Sequence, residues 1–205
     1  MELGEHQWQA LRRIIEAGLK GAAAGLSALT GGAIDLGSPR VALMPLEVVP
    51  GIAGGPGAVV VAVYVGVRGD LQGHVMLLLP ADAALRFVEI LAQQPPGTLQ
   101  ELDPMARSAL AEAGNICAAH FLTALGDATG LNVVPTAPVV VEDMAGAILQ
   151  TVVADLYLGG DWALVVETDF QSGEGAPRNG VKGHLLLMPD QESMARLVAA
   201  LEAIP

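Results

Sequence analysis

A chain of 205 residues, 52% hydrophobic and 16% charged, is long and apolar enough to bury a substantial core and has no disordered character. Its net charge of −12 argues against nucleic acid as a partner, because phosphate backbones are met by surplus Lys and Arg, and its single cysteine, Cys117, excludes an internal disulfide framework. The mean hydropathy of +0.50 does not imply a membrane span: the strongest apolar run, Ala58 to Val67, is too short, and Ala17 to Ile34 carries Lys20 and is built of Ala and Gly.

The chain starts Met1-Glu2-Leu3-Gly4-Glu5, without a basic stretch ahead of an apolar run. The expectation is a cytoplasmic chain with no leader. A long helix is predicted from Glu5 to Leu29, ended by Thr30-Gly31-Gly32. Val41 to Val49, Val59 to Arg68 and Gly73 to Leu79 are aliphatic runs bounded by Gly and Pro, as strands are. Asp70 to Gln72 is predicted to turn a hairpin, and the Gly-rich stretch Gly51 to Gly57 to be a further turn. Ala81 to Gln93 then closes the first half as a helix, with Leu85, Val88 and Leu91 at helical spacing.

After the connection Gln94-Pro95-Pro96-Gly97, a second long helix opens at Asp103-Pro104, an N-cap residue followed by the residue best suited to the first helical position. It is predicted to reach Thr129 or Gly130. Glu142 to Ala154 is expected to be helical, with no clear counterpart in the first half. Trp162 to Phe170 and Val181 to Met188 are the later strands, joined through a stretch from Gln171 to Asn179 with the composition of a mobile loop, and Asp190 to Ala203 is the closing helix.

The two halves repeat one another. Glu16-Ala17-Gly18 matches Glu112-Ala113-Gly114, Ala28-Leu29 matches Ala124-Leu125, Pro39-Arg40-Val41 matches Pro138-Val139-Val140 after a small change of length, and Gly73-His74-Val75 matches Gly183-His184-Leu185. The expected fold is α+β, internally duplicated and pseudo-two-fold, with long helices packed on an antiparallel sheet. The expected organisation is a single domain of two repeats, approximately 1–97 and 98–205.

Ser108, Glu112 and Asn115 are spaced four and then three, so they share a narrow stripe of the second long helix. Leu110, Ala113, Ile116, Cys117, Phe121 and Ala124 fall broadly on its other side, and the stripe is flanked by the small residues Ala111 and Ala119. Asn and Gly are poor helix formers, costing up to roughly 0.7 and 1 kcal/mol relative to Ala. Periodicity alone leaves two readings open: a solvated polar face with Gly114 allowing close packing, or a functional site.

These residues resemble the signature of the CheC/CheX/FliY phosphatases of bacterial and archaeal chemotaxis: Asp or Ser, three residues, Glu, two residues, Asn, then 22 residues and Pro. Here it reads Ser108, Glu112, Asn115 and Pro138. The resemblance extends over nearly the whole chain, through Val63-Tyr64-Val65, Pro80, Asp143-Met144-Ala145-Gly146-Ala147 and Glu167-Thr168-Asp169-Phe170, and is nearest to the CheC arrangement. It implies a phosphatase acting on the aspartyl phosphate of a CheY-type response regulator, with Mg²⁺ supplied by that substrate and no cofactor of its own. It implies that Asn115 positions a water, that Glu112 pairs with the regulator's active-site Lys, and that Ser108 supports them. By the same resemblance the first half is a degenerate site, in which Glu16 is kept, Arg12 replaces the Asp or Ser and Leu19 replaces the Asn. The segment Asp143, Met144, Ala145 and Gly146 resembles the surface that contacts the receptor deamidase CheD; an ordinary short helix covering the sheet edge is the other reading.

Other chemistries find little support. His6, His74, His120 and His184 have no metal-ligand spacing, and His74 and His184, at equivalent strand positions, suggest packing. Cys117 reads as a small core residue, and no Ser/His/Asp order or Walker-type Gly-Lys-Ser is present. The alternatives to an enzyme are a non-catalytic module sequestering CheD or a phosphorylated regulator, and a piece of the flagellar switch. The last is disfavoured because Pro205 follows directly on the closing helix.

Overall fold

A computed structural model of the chain describes residues 3–155, 162–172 and 180–204. The expected loop from Gln171 to Asn179 lies mostly outside the described residues. In chain order the elements are α1 (Glu5–Thr30), β1 (Ile34–Leu36), β2 (Arg40–Pro45), a 3-10 turn (Leu46–Val48), α2 (Val49–Ile52), β3 (Val59–Gly69), β4 (Gly73–Pro80) and α3 (Ala81–Leu91). The second half follows with α4 (Pro104–Thr129), β5 (Val133–Pro135), β6 (Val139–Met144), α5 (Ala145–Asp155), β7 (Trp162–Ser172), β8 (Val181–Pro189) and α6 (Gln191–Glu202).

The strands form one antiparallel sheet, ordered β1-β7-β8-β4-β3-β5, with β2 also beside β7 and β6 also beside β3. Each half lends its short strands to the long strand of the other. β1 and β2 line the edge of β7, β5 and β6 line the edge of β3, and the seam between halves is the β4–β8 ladder, from Gly73↔Pro189 to Leu78↔His184. The fold is α+β and pseudo-two-fold about that seam. Because the halves exchange strands, neither buries its own sheet face alone.

Period-two alternation sorts the strands between two cores. Val61, Val63, Val65 and Val67 of β3 face the larger core with α1, α3, α4 and α6, whereas Val60 and Ala62 face the smaller one with α2 and α5. Both long helices stop at a glycine in the left-handed conformation, Gly31 (φ 66°) and Gly130 (φ 72°), which orders the turn into the short strands.

Three expectations are corrected. The first-half strand does not run to Val49: it ends at Pro45, which has no N–H for a ladder, and Pro50 then sits in the first turn of α2. Glu142 to Met144 is strand rather than helix, because the edge of β3 recruits it at Val61↔Glu142 and Val59↔Met144. The helix α5 does have a counterpart in the first half, the 3-10 turn and α2, cut short there by the prolines.

The register between the halves also differs from the sequence matches. One interval separates Glu5 from Pro104, Ile34 from Val133, and Arg40 from Val139, as well as Gly31 from Gly130. That interval sets Pro39 opposite Pro138 with no change of length. It also places Glu16 opposite Asn115, Arg13 opposite Glu112 and Gln9 opposite Ser108. Burial agrees: Leu11, Ile14, Gly18, Ala22 and Leu26 of α1 correspond to Leu110, Ala113, Cys117, Phe121 and Leu125 of α4, and all are buried.

Candidate active site on helix α4

Asp103 caps α4, its Oδ1 accepting from the Ala106 N–H at 2.7 Å, and Pro104 occupies the first turn. The helix packs against both α1 and the sheet. Leu110, Ala113, Cys117, Phe121 and Leu125 are buried beneath it. At Gly114 it meets β3 so closely that an added Cβ would lie 2.4 Å from Cγ1 of Val63. Gly114 therefore sets how high the neighbouring Asn115 and Glu112 stand above the sheet. Substituting Ala there forces the helix outward; the expected cost is about 1–3 kcal/mol, read as a lower thermal unfolding midpoint, and an unchanged midpoint would contradict this close approach.

The opposite stripe carries the polar residues. Ser108 and Glu112 are exposed, Asn115 is half-buried, and all three project from the same face. Pairs three or four apart on a helix stand ~5–6 Å apart at Cβ, so one partner surface reaches both the carboxylate and the carboxamide. Among the described residues none of the three side chains makes a hydrogen bond or ion pair within the chain. The adjacent Arg107 is engaged: it pairs with Glu142 of β6 and donates from Nε to the Leu102 carbonyl at 3.2 Å. Pro138 is half-buried at the entry to β6, and the loop before it is tied to β3 by Thr136, whose Oγ1 accepts from the Gly66 N–H at 2.9 Å.

The degenerate first site is corrected by the register. Glu16, expected to match Glu112, occupies the place of Asn115, and the place of Glu112 is taken by Arg13; both are exposed. Leu19 corresponds instead to the buried Ala118 and is half-buried against the main core, so it holds no site position.

The segment Asp143, Met144, Ala145 and Gly146 is exposed only in its first half. Asp143 and Met144 are exposed at the end of β6, with Asp143 Oδ1 accepting from the Met144 N–H at 2.7 Å. Ala145 is buried and its N–H donates to the Ala58 carbonyl at 2.9 Å; the Gly146 N–H donates to the Pro56 carbonyl at 2.9 Å. Beside Asp143 a groove of about 270 Å³ opens between β6 and α5, lined in part by Tyr64, Val139, Val141, Ile148 and Thr151.

The remaining candidates are structural. Cys117 is fully buried, and burial pushes its thiol up to about 12, far from a thiolate. His74 stacks on Tyr64 and its Nε2 lies 3.0 Å from the Tyr64 hydroxyl. His184 is buried with Nε2 3.4 Å from Glu167; burial lowers its pKa, against the upward pull of that carboxylate. Among the described residues no three His, Cys, Asp or Glu side chains converge as a metal centre, and no helix is long and apolar enough to cross a membrane.

Comparison with known proteins adds the following. A model of the CheC-like family matches residues 105–142, the span that holds Ser108, Glu112, Asn115 and Pro138. The chain is 31% identical over 201 residues to the CheY-P phosphatase CheC of Bacillus subtilis (strain 168), covering 97% of this chain and 95% of that one. Among solved structures it resembles FliY of Thermotoga maritima, with TM-score 0.77, 20% identity and 98% of both chains covered. It also resembles the FliM middle domain of H. pylori, with TM-score 0.67, 9% identity and coverage of 97% and 99%. These two likenesses concern the fold.

Proposed function

The chain belongs to the CheC-like family, and from that premise we infer that it is a phosphatase hydrolysing the aspartyl phosphate of a CheY-type response regulator in chemotaxis signalling. The observation that carries this reading at the residue level is the outward pairing of Glu112 with Asn115 on α4, both without partners within the described chain.

The chemistry needs little from the enzyme beyond position. Hydrolysis of an acyl phosphate requires a water in line with the phosphorus, and a carboxamide both accepts from and donates to such a water. Asn115, held on a rigid helix braced by Gly114 against Val63, supplies that orientation and lowers the entropic part of the barrier. Glu112 pairs with the regulator's active-site Lys and sets the docking register, and Ser108 supports the contact. The Mg²⁺ belongs to the regulator, and this chain contributes no metal of its own. The reaction belongs in the cytoplasm, where such regulators work. The chain is a single domain of two repeats, meeting near residues 97–98, with one working site.

The test is release of phosphate from a phosphorylated CheY-type protein, with and without this chain. Equal decay in both would remove the enzyme reading.

A second surface supports CheD as a further partner. Asp143 and Val139, the latter 54% exposed, line the groove between β6 and α5, and the neighbouring Met144 is 50% exposed. If that surface is what CheD recognises, Asp143→Lys abolishes co-purification with CheD while phosphate release from the regulator continues. If the protein is a sequestering module and not a phosphatase, only the first effect is seen.

A further inference from the structure

Met105 stands at the head of the α4 stripe, three residues before Ser108 and seven before Glu112, so the three share a face. It is 78% exposed, more than any other large exposed hydrophobic among the described residues; the next, Val139, is 54% exposed. An apolar side chain left so far in water on the first turn of a helix contributes nothing to the core.

The second helix of the pseudo-two-fold pair offers an internal comparison. On α1 the equivalent stripe reads His6, Gln9, Arg13 and Glu16, all exposed and all polar. The stripe carrying the carboxylate and carboxamide has methionine where its charge-altered copy has histidine. Ala111 and Ala119 beside Glu112 and Asn115 are small and Ile116 is half-buried against the core, so Met105 is the one large apolar side chain that α4 leaves exposed. Protein interfaces depend on an apolar side chain that becomes desolvated at their centre, with polar groups fixing orientation around it. Methionine, unbranched and polarizable, adapts to a partner's surface.

We propose that Met105 is the apolar docking anchor of this face, and that its occupant is the phosphorylated regulator itself, which seats Met105 in an apolar depression outside its phosphorylation site. This rests on the phosphatase reading and deepens it. With a rise of ~1.5 Å per residue, Met105 lies roughly 15 Å along the helix from Asn115. It is therefore too far from the reacting phosphorus to assist the chemistry. Met105 is a positioning residue that contributes affinity.

The experiment measures phosphate release across a range of a CheY-type regulator charged with acetyl phosphate and Mg²⁺, and binding of the same regulator activated with beryllofluoride. Met105→Gln keeps length and helix propensity while removing the apolar surface. It is expected to raise KM and the dissociation constant roughly ten-fold, the equivalent of losing one partly buried apolar side chain, with kcat held. Met105→Leu stays within about two-fold of wild type in both. An unchanged KM and dissociation constant in Met105→Gln overturns the proposal, as does a loss confined to kcat. Failure of the underlying reading has a different signature: wild type itself neither speeds release nor binds the activated regulator.

Discussion

Asn115→Ala is expected to fold as the wild type does and to lose its acceleration of regulator dephosphorylation by a factor on the order of 10² or more. Asn115 is half-buried and makes no side-chain hydrogen bond within the described chain, so truncation breaks no internal contact. Alanine is also the better helix former by up to roughly 0.7 kcal/mol, which favours a thermal midpoint equal to or above that of wild type. What disappears is the carboxamide of the stripe, whose separate N–H and C=O groups donate to and accept from a water at once. Binding of beryllofluoride-activated regulator should survive, since Glu112 and Met105 remain. A stable, well-folded Asn115→Ala protein releasing phosphate at the wild-type rate would show that the carboxamide is not the catalytic group.

The second large effect is a gain. Arg13 and Glu16 stand where Glu112 and Asn115 stand in the other half, and both are exposed. On the proposed mechanism, a guanidinium in place of the docking carboxylate would repel the regulator's Lys, and a carboxylate in place of the carboxamide would face the phosphoryl group with like charge. Each mismatch is worth ~1 kcal/mol in water at 4 Å and ~4 kcal/mol where water is partly excluded. Reversing both, as Arg13→Glu with Glu16→Asn, restores the chemistry on a helix of the same length with the same left-handed glycine cap. Introduced into the inactive Asn115→Ala chain, the pair is expected to raise phosphate release at least about ten-fold above that background. The alternative pair suggested by sequence matching, Arg12→Ser with Leu19→Asn, is expected to restore nothing, because Leu19 is half-buried against the core. Activity returning with the second pair and not the first would reverse the assignment.

The two registers explain where sequence reasoning stopped. Glu16-Ala17-Gly18 and Glu112-Ala113-Gly114 are identical, yet the structure sets them three residues out of step. A shift of three in a helix rotates the pattern by only about 60° from a full turn, so the apolar face looks nearly the same in either alignment. Periodicity therefore could not choose between them. The helix caps at Gly31 and Gly130 and the ladders of β1 on β7 and β5 on β3 do choose, because they count residues along the chain and not around an axis.

The same limit applied at β6. Glu142 to Met144 precede a helix and read as part of it, but the unpaired edge of β3 in the other half offered hydrogen bonds that local propensity could not outweigh. The three-residue strands β1 and β5 carry too few residues to show alternation at all.

By itself, then, the chain's residue order determined the two long helices, through their length, their glycine stops and the Asp103-Pro104 start, and it determined the stripe of Ser108, Glu112 and Asn115, because helical spacing puts those side chains on one face wherever the helix lies. It also determined the duplication, since the order of matches survives an error in register. Only the tertiary structure decided which stripe faces water unpartnered, which residues of the first half are its counterparts, and how strands are exchanged between the halves. Those outcomes rest on pairings and packing between residues far apart in the chain, such as Gly114 on Val63 and Arg107 on Glu142, for which local sequence carries no signal.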